Sequence, residues 1–417
     1  MSLLVELSGV QAAQTDIDTI GNNIANVSTA GFKASSAQFS DIYAGSLMGA
    51  AGANTTPGQG VNTTNISQLF TEGTITQTGN PLDIAVNGSG FLQVQTPSGV
   101  AYTRDGNLSL NSSGNLVTDT GSEVMGYAPA ASGSSGGVTS GPLGAIQISS
   151  GNINAVATSA LGFNVNLPST DPVINTTTTP FSVGNASSYD ESTTTSVYDS
   201  LGVSRTLTTY FTQVSGSGSP DQWATHWQLS DSDGAMVTSG AGPTLSFNSA
   251  GQLTSGSGTI SINNLPNGAA NLSIATNFTG STLSDLAFAV NGVSNNGNGA
   301  GEFTGIQIAS NGQITGQYSN GLTRNFGTVA LANFANPNGL IASSNNIWLA
   351  SVDSGPALTG APGTGALGTL ESGALEGSNV DLSAQLVSLI AAQQAYQANV
   401  QGINVDQQDV QRLLTLQ

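Results

Sequence analysis

Apolar residues recur at helical spacing at both ends of the chain. Their steps alternate between three and four residues, which predicts one side of an α-helix at each end. The N-terminal stripe comprises Leu3, Leu7, Val10, Gln14, Ile17, Gly21 and Ile24. The C-terminal stripe comprises Leu382, Leu386, Leu389, Gln393, Tyr396, Val400, Ile403, Gln407, Val410 and Leu414. Either Asp381 or Ser378 can cap the start of the second predicted helix.

The two stripes allow two interpretations. An isolated coiled coil is usually supported by charge pairs beside its apolar seam, whereas Ala, Gln, Asn, Ser and Thr flank both stripes here. Small, uncharged flanks suit a helix that is buried on several sides, as in the wall of a packed tube. The same periodicity suits a helix pair that closes one domain within the chain. Periodicity alone leaves both interpretations open.

The residues between the two helices follow the period-two pattern of β-strands. Leu82, Ile84 and Val86 share one side of such a segment, and Asn87-Gly88 supplies the turn chemistry of a hairpin. A Gly/Ser-rich boundary at 131–141 separates this block from a second strand-rich block. After the second block, the chain returns to the pattern of strands and turns seen in the first block. The Gly- and Ala-rich stretch 44–60 is typical of an extended linker.

This order of segments predicts a nested architecture. The expected fold class is α+β and mainly β, with paired terminal helices, an inner β domain and an outer β domain inserted in it. The predicted divisions are 1–33 and 375–417 for the terminal helical assembly domain, 34–70 for an extended linker, 71–145 and 302–374 for the inner domain with its linker to the last helix, and 146–301 for the inserted outer domain.

The charge of the chain limits its partners. Only 7% of the 417 residues are charged, and 24 acidic residues face 5 basic ones for a net charge of −19. The basic residues are Lys33, Arg104, Arg205, Arg324 and Arg412, which are far apart in sequence. Nucleic-acid backbones and anionic membranes both attract clustered cations. We therefore expect neither as a partner.

The sequence carries little that catalysis or metal binding requires. Cysteine is absent, which excludes disulfides and thiol chemistry. The one histidine, His226, lies between Trp223 and Trp227 and is predicted to be a partly buried strand residue. Residues 231–234 (DSDG) resemble the start of a calcium loop, but the twelfth position is Gly242 rather than a carboxylate, so a turn is predicted. We expect no enzyme activity, metal, cofactor or small-molecule substrate.

The sequence also indicates how the protein reaches its location. No run approaches the roughly 20 apolar residues of a membrane-spanning helix. Residues 1–14 lack the basic start and apolar core of a cleaved secretory signal. A lysine-poor chain rich in Gly, Ser, Thr and Asn is nevertheless typical of a surface protein, so we expect export by an unusual route.

Several segments resemble the family of flagellar rod, hook and hook-associated proteins. Residues 20–33, IGNNIANVSTAGFK, are similar to its N-terminal signature, although Gly21 stands where a larger residue is common. Residues 377–382, followed by 391–404, resemble its C-terminal signature, and 73–127 resemble its inner domain. The block that begins at 196–202, SVYDSLG, resembles the outer domain of hook subunits, which distal rod subunits lack. The signature residues are Asn22, Asn23, Ile24, Ala25, Asn26, Gly31 and Phe32.

The resemblance implies a structural subunit that polymerises into a hollow, flexible helical tube. Such a tube transmits torque from the basal-body rod to the flagellar filament, and its subunits leave the cell through the flagellar type III export apparatus. The implied partners are further copies of the chain, the distal rod, the hook cap and the hook–filament junction proteins. The implied self-assembly residues are Leu3, Leu7, Val10, Ile17, Ile24, Leu382, Leu386, Leu389, Tyr396, Val400, Ile403, Val410 and Leu414. We expect the two ends to be loose before assembly.

Two alternatives remain at this stage. A distal rod or hook-associated subunit shares both terminal signatures, but the middle block counts against the distal rod. A secreted β-rich adhesin belongs to another class and needs an exposed aromatic surface, which Trp223, Trp227 and Tyr210 could supply. Aromatic residues at strand positions are more often part of a core.

Overall fold

The computed structural model describes residues 2–42, 58–129, 141–215 and 221–415. The centre of the predicted linker and most of the boundary at 131–141 lie outside these ranges. Helix α1 (Ser2–Ala25) and helix α2 (Leu382–Thr415) lie at the two ends of a chain that is otherwise mainly β-structure. The predicted fold class is confirmed.

Asp381 caps the start of α2. Its Oδ1 accepts hydrogen bonds from the backbone N–H groups of Ser383 at 2.9 Å and Ala384 at 3.1 Å. These N–H groups belong to the first turn, where no intrahelical acceptor is available. Of the two predicted caps, Asp381 therefore fills the role.

The chain divides into two compact units, and the second is inserted in the first. The first unit contains residues 1–150, 305–317 and 323–417, and the second contains 151–304 and 318–322. The strands before the second unit are β1 (Ser35–Asp41), β2 (Val61–Gln68), β3 (Ile75–Gln77), β4 (Ile84–Asn87), β5 (Phe91–Thr96), β6 (Gly99–Thr103), β7 (Leu108–Leu110), β8 (Leu116–Thr118), β9 (Glu123–Tyr127) and β10 (Leu143–Ala145).

The expectation of a linker over 34–70 is wrong at both of its ends. There β1 and β2 form an antiparallel two-stranded sheet, in which Ala37 pairs with Ile66. Most residues of both strands are polar, and the apolar residues Phe39 and Ile66 are exposed. The alternation of apolar and polar residues that predicts a half-buried strand is therefore weak here. The two paired strands are also far apart in sequence.

The second unit is a two-sheet β domain. Its strands are β11 (Ala160–Pro168), β12 (Glu191–Tyr198), β13 (Ser204–Ser215), β14 (Asp221–Ser230), β15 (Met236–Phe247), β16 (Leu253–Ser255), β17 (Ser257–Ile262), β18 (Leu272–Asn277), β19 (Thr282–Ser284) and β20 (Ala289–Asn295). One sheet runs β12-β13-β14-β15-β16, and β11 joins β17–β20 in the other. A core of buried apolar residues draws on both sheets and includes Phe163, Phe211, Trp223, Phe247 and Ile274.

The returning segment completes the first unit. Its strands are β21 (Phe303–Ile308), β22 (Gln313–Tyr318), β23 (Thr323–Val329), β24 (Leu331–Asn333), β25 (Ile341–Ser343), β26 (Ile347–Leu349), β27 (Leu358–Gly360), β28 (Thr369–Ser372) and β29 (Ala374–Glu376). Single-turn 3₁₀-helices lie at Ala186–Ser188 and Pro337–Gly339. Strands from before and after the insertion pair directly: β24 with β5, β26 with β6, β23 with β9, β28 with β4 and β29 with β3. The two sequence segments thus build one fold.

Candidate assembly surface of the terminal helices

The two terminal helices pack against each other in antiparallel orientation. Near the end of α1, Asn23 Nδ2 donates to Gln385 Oε1 near the start of α2, at 3.2 Å. Near the start of α1, a methyl group at Gly402 of α2 would lie 2.5 Å from Glu6 Oε1. The contact therefore moves toward the N-terminus of α2 as it moves toward the C-terminus of α1. The helices do pair within the chain, which is one of the two interpretations that their periodicity allowed.

The seam between the helices consists of small and polar side chains. A methyl group at Gly9 would lie 2.8 Å from the Asn399 side-chain amide, so the helices approach closely there. Ala13 and Ala392 are the buried small apolar side chains of this contact region. Beside the seam, a groove of about 440 Å³ is bounded by both helices and by β1 and β2, and burial raises the pKa of the Asp16 carboxyl in it. Among the described side chains of the two helices, only these two alanines and Ile20 of α1 are fully buried apolar groups.

The predicted self-assembly residues are divided by this arrangement. Those that are half-buried are Val10, Ile17, Ile24, Leu389, Tyr396, Val400 and Ile403. Those that are exposed are Leu3, Leu7, Leu382, Leu386 and Val410. The side chain of Leu414 lies outside the described part of the chain. The pairing seam is therefore rotated from the apolar stripes, and large side chains remain open to solvent.

Sequence analysis missed part of the exposed apolar surface. Leu4, Val387 and Ile390 lie beside the predicted stripes and are exposed by 68%, 69% and 55%. With Leu382 and Leu386 they place apolar groups on the first turns of α2 and at the start of α1. Because the helices are antiparallel, these side chains form two exposed apolar sets at opposite ends of the pair, and soluble proteins rarely leave such sets open unless they bind something. Spacings of one residue from a heptad position are the signal that could have found them.

The buried signature residues connect α1 tightly to the β-structure of the first unit. Asn23 is buried, and its side chain both accepts from the Ser35 N–H and donates to the Ser35 carbonyl, each at 2.8 Å. Gly31 is buried at a φ of +65°, and a methyl group there would lie 2.5 Å from the Arg104 carbonyl carbon. Glycine alone fits such a position. Asn26 and Phe32 are half-buried, whereas Asn22 and Ala25 are exposed.

A buried ion cluster lies beside this junction. Glu376 is fully buried, and its Oε1 and Oε2 contact Lys33 Nζ at 2.6 Å and Arg104 Nη1 at 3.0 Å. Burial lowers the pKa of the Lys33 ammonium, and its hydrogen bond to Glu376 opposes that shift. The three residues are distant in sequence, so no local pattern could announce the cluster.

The residues considered for catalysis or metal binding, His226 and 231–234, belong to the β-structure of the second unit. His226 lies in β14, its ring stacks on Phe181 with centroids 4.1 Å apart, and burial lowers its pKa. Residues 231–234 form the predicted turn, with the Gly234 N–H bonded to the Asp231 carbonyl at 2.9 Å. Among the described residues, no group of three His, Cys, Asp or Glu side chains could hold a metal ion, and no helix is long and apolar enough to cross a membrane.

The aromatic surface that an adhesin would need is not formed by the predicted residues. Trp223, Trp227 and Tyr210 are all buried, as the strand positions predicted. The Trp227 indole N–H donates to the Ala241 carbonyl at 3.1 Å within the same sheet. These side chains therefore stabilise the second unit.

Four protein-family profiles match successive parts of the chain. They are the flagella basal body rod protein over 3–33, the flagellar hook protein FlgE/F/G D1 domain over 85–170, the flagellar basal body protein FlaE D2 domain over 164–298, and the flagellar basal body rod FlgEFG protein C-terminal region over 371–416. Together with the nested fold, they define a flagellar axial protein.

Full-length relatives narrow this class. The chain is 39% identical over 423 residues to the flagellar hook protein FlgE of Salmonella typhimurium and 37% identical over 424 residues to that of Escherichia coli, with 100% of each chain covered. The crystal structure of Helicobacter pylori flagellar hook protein FlgE2 shares the fold, with a TM-score of 0.56 at 13% identity over 71% of this chain and 99% of that one. The chain belongs to the flagellar hook protein FlgE family.

Proposed function

We propose that the protein is a structural subunit of the bacterial flagellar hook and polymerises through its terminal helices into a hollow, flexible tube. This tube joins the basal-body rod to the filament and transmits torque between them. The observation that carries the proposal is the exposure of large apolar side chains on α1 and α2, next to a seam of small and polar residues. A second copy is the natural cover for this surface, because a contact between different patches on identical subunits continues without closing.

The remaining expectations follow from this role. The partners are further copies of the chain, the distal rod, the hook cap, the hook–filament junction proteins and the flagellar export apparatus. The protein acts outside the cell after type III export, and it is not an enzyme. A helix pair with few fully buried apolar side chains offsets only part of its ordering entropy, which supports ends that open readily in the single chain and are held in place in the tube.

Electron microscopy of the purified chain under polymerising conditions tests the proposal. The unaltered chain should form short tubes. The double substitution Leu386→Asp and Ile390→Asp should abolish them, because both side chains are exposed in the single chain and would bring buried charge to the contact. The monomer should keep its secondary structure, since exposed positions contribute little to its stability.

Leu286→Asp provides the matched control. Leu286 is exposed by 71% in the second unit, so its substitution adds one aspartate, against two in the helix variant, at a leucine outside the helices. This variant should polymerise. The proposed assembly surface is wrong if the helix variant forms normal tubes or if both variants lose polymerisation to the same degree.

A further inference from the structure

The strongest observation outside the assembly surface is the environment of Glu376. This residue ends β29, five residues before Asp381 caps α2. Its carboxylate is fully buried and is shared by Lys33 Nζ, by Arg104 Nη1 and by the backbone N–H of Gly73 at 3.0 Å. One side chain therefore contacts the segment that leaves α1, the β-structure of the first unit and the segment that begins after β2.

Hydrogen bonds from the backbone and from the Asn379 side chain hold the same segments together. The Gly31 N–H donates to the Glu376 carbonyl at 2.7 Å, and the Ala34 N–H donates to Asn379 Oδ1 at 2.7 Å. Asn379 Nδ2 in turn donates to the Leu69 carbonyl at 2.7 Å. Residues 31–34 and 376–379 are thus bonded to each other where the chain leaves α1 and approaches α2.

Arg104 connects this junction to the sheets of the first unit. Its Nη1 also donates to the Val86 carbonyl at 3.1 Å, and its Nη2 donates to the Gly88 carbonyl at 2.7 Å. Arg104 is 5% exposed and Lys33 is 1% exposed. Loss of the carboxylate would leave two buried cations without their counterion, which is much less favourable than loss of an exposed ion pair.

We propose that Glu376 is a lock that couples the two ends of the chain, so that α1 and α2 dock on the first unit together or not at all. The lock lies outside the apolar surface proposed for assembly and operates in the single chain. It makes the loose and ordered states of the two ends into one equilibrium. Neither end can then be ordered for polymerisation while the other remains loose.

Hydrogen exchange of the full-length monomer, read by mass spectrometry, tests the lock. In the unaltered chain, the protected amides of both helices should open with the same free energy and the same denaturant dependence, as expected of one cooperative unit. Glu376→Gln should accelerate exchange at both helices by about 100-fold or more, which is the size expected when a buried ion pair loses one partner. The core of the second unit should exchange at an unchanged rate.

Glu371→Gln is the matched control. Glu371 lies in β28, and its carboxylate accepts from Gln77 Nε2 at 2.6 Å in a contact that is exposed. Its substitution should leave both helices unaffected. Lys33→Met removes one cation, retains the Arg104–Glu376 pair and provides a milder variant that should still accelerate both ends equally if Glu376→Gln does not fold.

Three results would overturn the lock. They are acceleration at one helix alone, an equal acceleration in the second unit, and no difference between Glu376→Gln and Glu371→Gln. Because the readout is exchange in the monomer, it is independent of tube formation. A failure of the chain to polymerise would therefore contradict the proposed function and leave the lock to be judged by its own measurement.

Discussion

The second unit and the helix pair bury apolar side chains to opposite extents. The second unit encloses Trp223, Phe211 and Phe247 in a core that draws on both of its sheets, and each of these side chains is fully buried. The helix pair fully buries Ala13, Ile20 and Ala392 among its described apolar side chains and leaves Leu4 and Val387 more than 60% exposed. The second unit thus buries its large apolar residues within the chain, whereas the helix pair does so only in part.

This difference separates two uses of the same kind of residue. A domain that must remain folded at every stage needs a complete core of its own. A segment that is to be ordered by its neighbours can keep its large apolar groups for them and use glycine, alanine and amide side chains for contacts within the chain. The composition of the seam, rather than the presence of a heptad pattern, distinguishes the two cases.

The largest expected effect is on the core of the second unit. Trp223→Ala removes a fully buried side chain and should lower the free energy of unfolding of that unit by about 3–5 kcal/mol, from lost burial and the remaining cavity. Urea denaturation followed by tryptophan and far-UV signals measures the loss. Leu286→Ala, at an exposed position of the same unit, should change it by less than about 0.5 kcal/mol. Similar losses in both variants would contradict the contrast between the regions.

Removal of the whole second unit sharpens the comparison further. Ile153 and Gly301 exchange two backbone hydrogen bonds, at 2.9 and 3.0 Å, so the chain enters and leaves this unit at adjacent positions. Deletion of 154–300 with a short glycine connection should therefore leave the first unit folded. We expect tubes that still form but bend with altered stiffness, as measured from their curvature in electron micrographs. Loss of all polymerisation would show that the second unit is required for assembly itself.

The sequence was informative wherever a pattern repeats locally. Heptad spacing predicted both helices, alternation predicted strands such as β4, and the burial of Trp223 followed from its strand position. The β1–β2 sheet was missed because its exposed, polar strands carry no apolar alternation. The rotation of the helix seam could not be derived, since small residues approach closely without a hydrophobic signal.

The Glu376 cluster was missed for a different reason. Lys33 and Arg104 are far from each other and from every other basic residue in the sequence. Their shared partner follows only from the pairing of β29 with β3 and of β28 with β4, which brings the end of the chain beside its beginning. No short stretch of the sequence predicts strand pairing over such a distance along the chain.

The smallest expected effect concerns Asp16 in the groove beside the seam of the helix pair. Burial raises the pKa of its carboxyl above the ordinary value of 3.8. The folded pair therefore favours the protonated form, so this group's contribution to stability is complete below pH 3.8 and is lost as the pH rises through the raised pKa. Asp16→Asn stays uncharged at every pH. It should slow hydrogen exchange in α1 at pH 7, and its advantage over the unaltered chain should shrink as the pH falls toward 4.

Asp18→Asn separates this effect from a general loss of negative charge. Asp18 is two residues away in the same helix, but it is exposed and accepts from Gln14 Nε2 at 2.8 Å. Its substitution should change hydrogen exchange in α1 little, and the difference from the unaltered chain should not depend on pH. If both variants slow exchange equally, the gain in stability comes from the lower net negative charge of the chain rather than from the groove. If only Asp16→Asn does so, a carboxylate partly buried in the groove weakens the packing of α1 within the single chain.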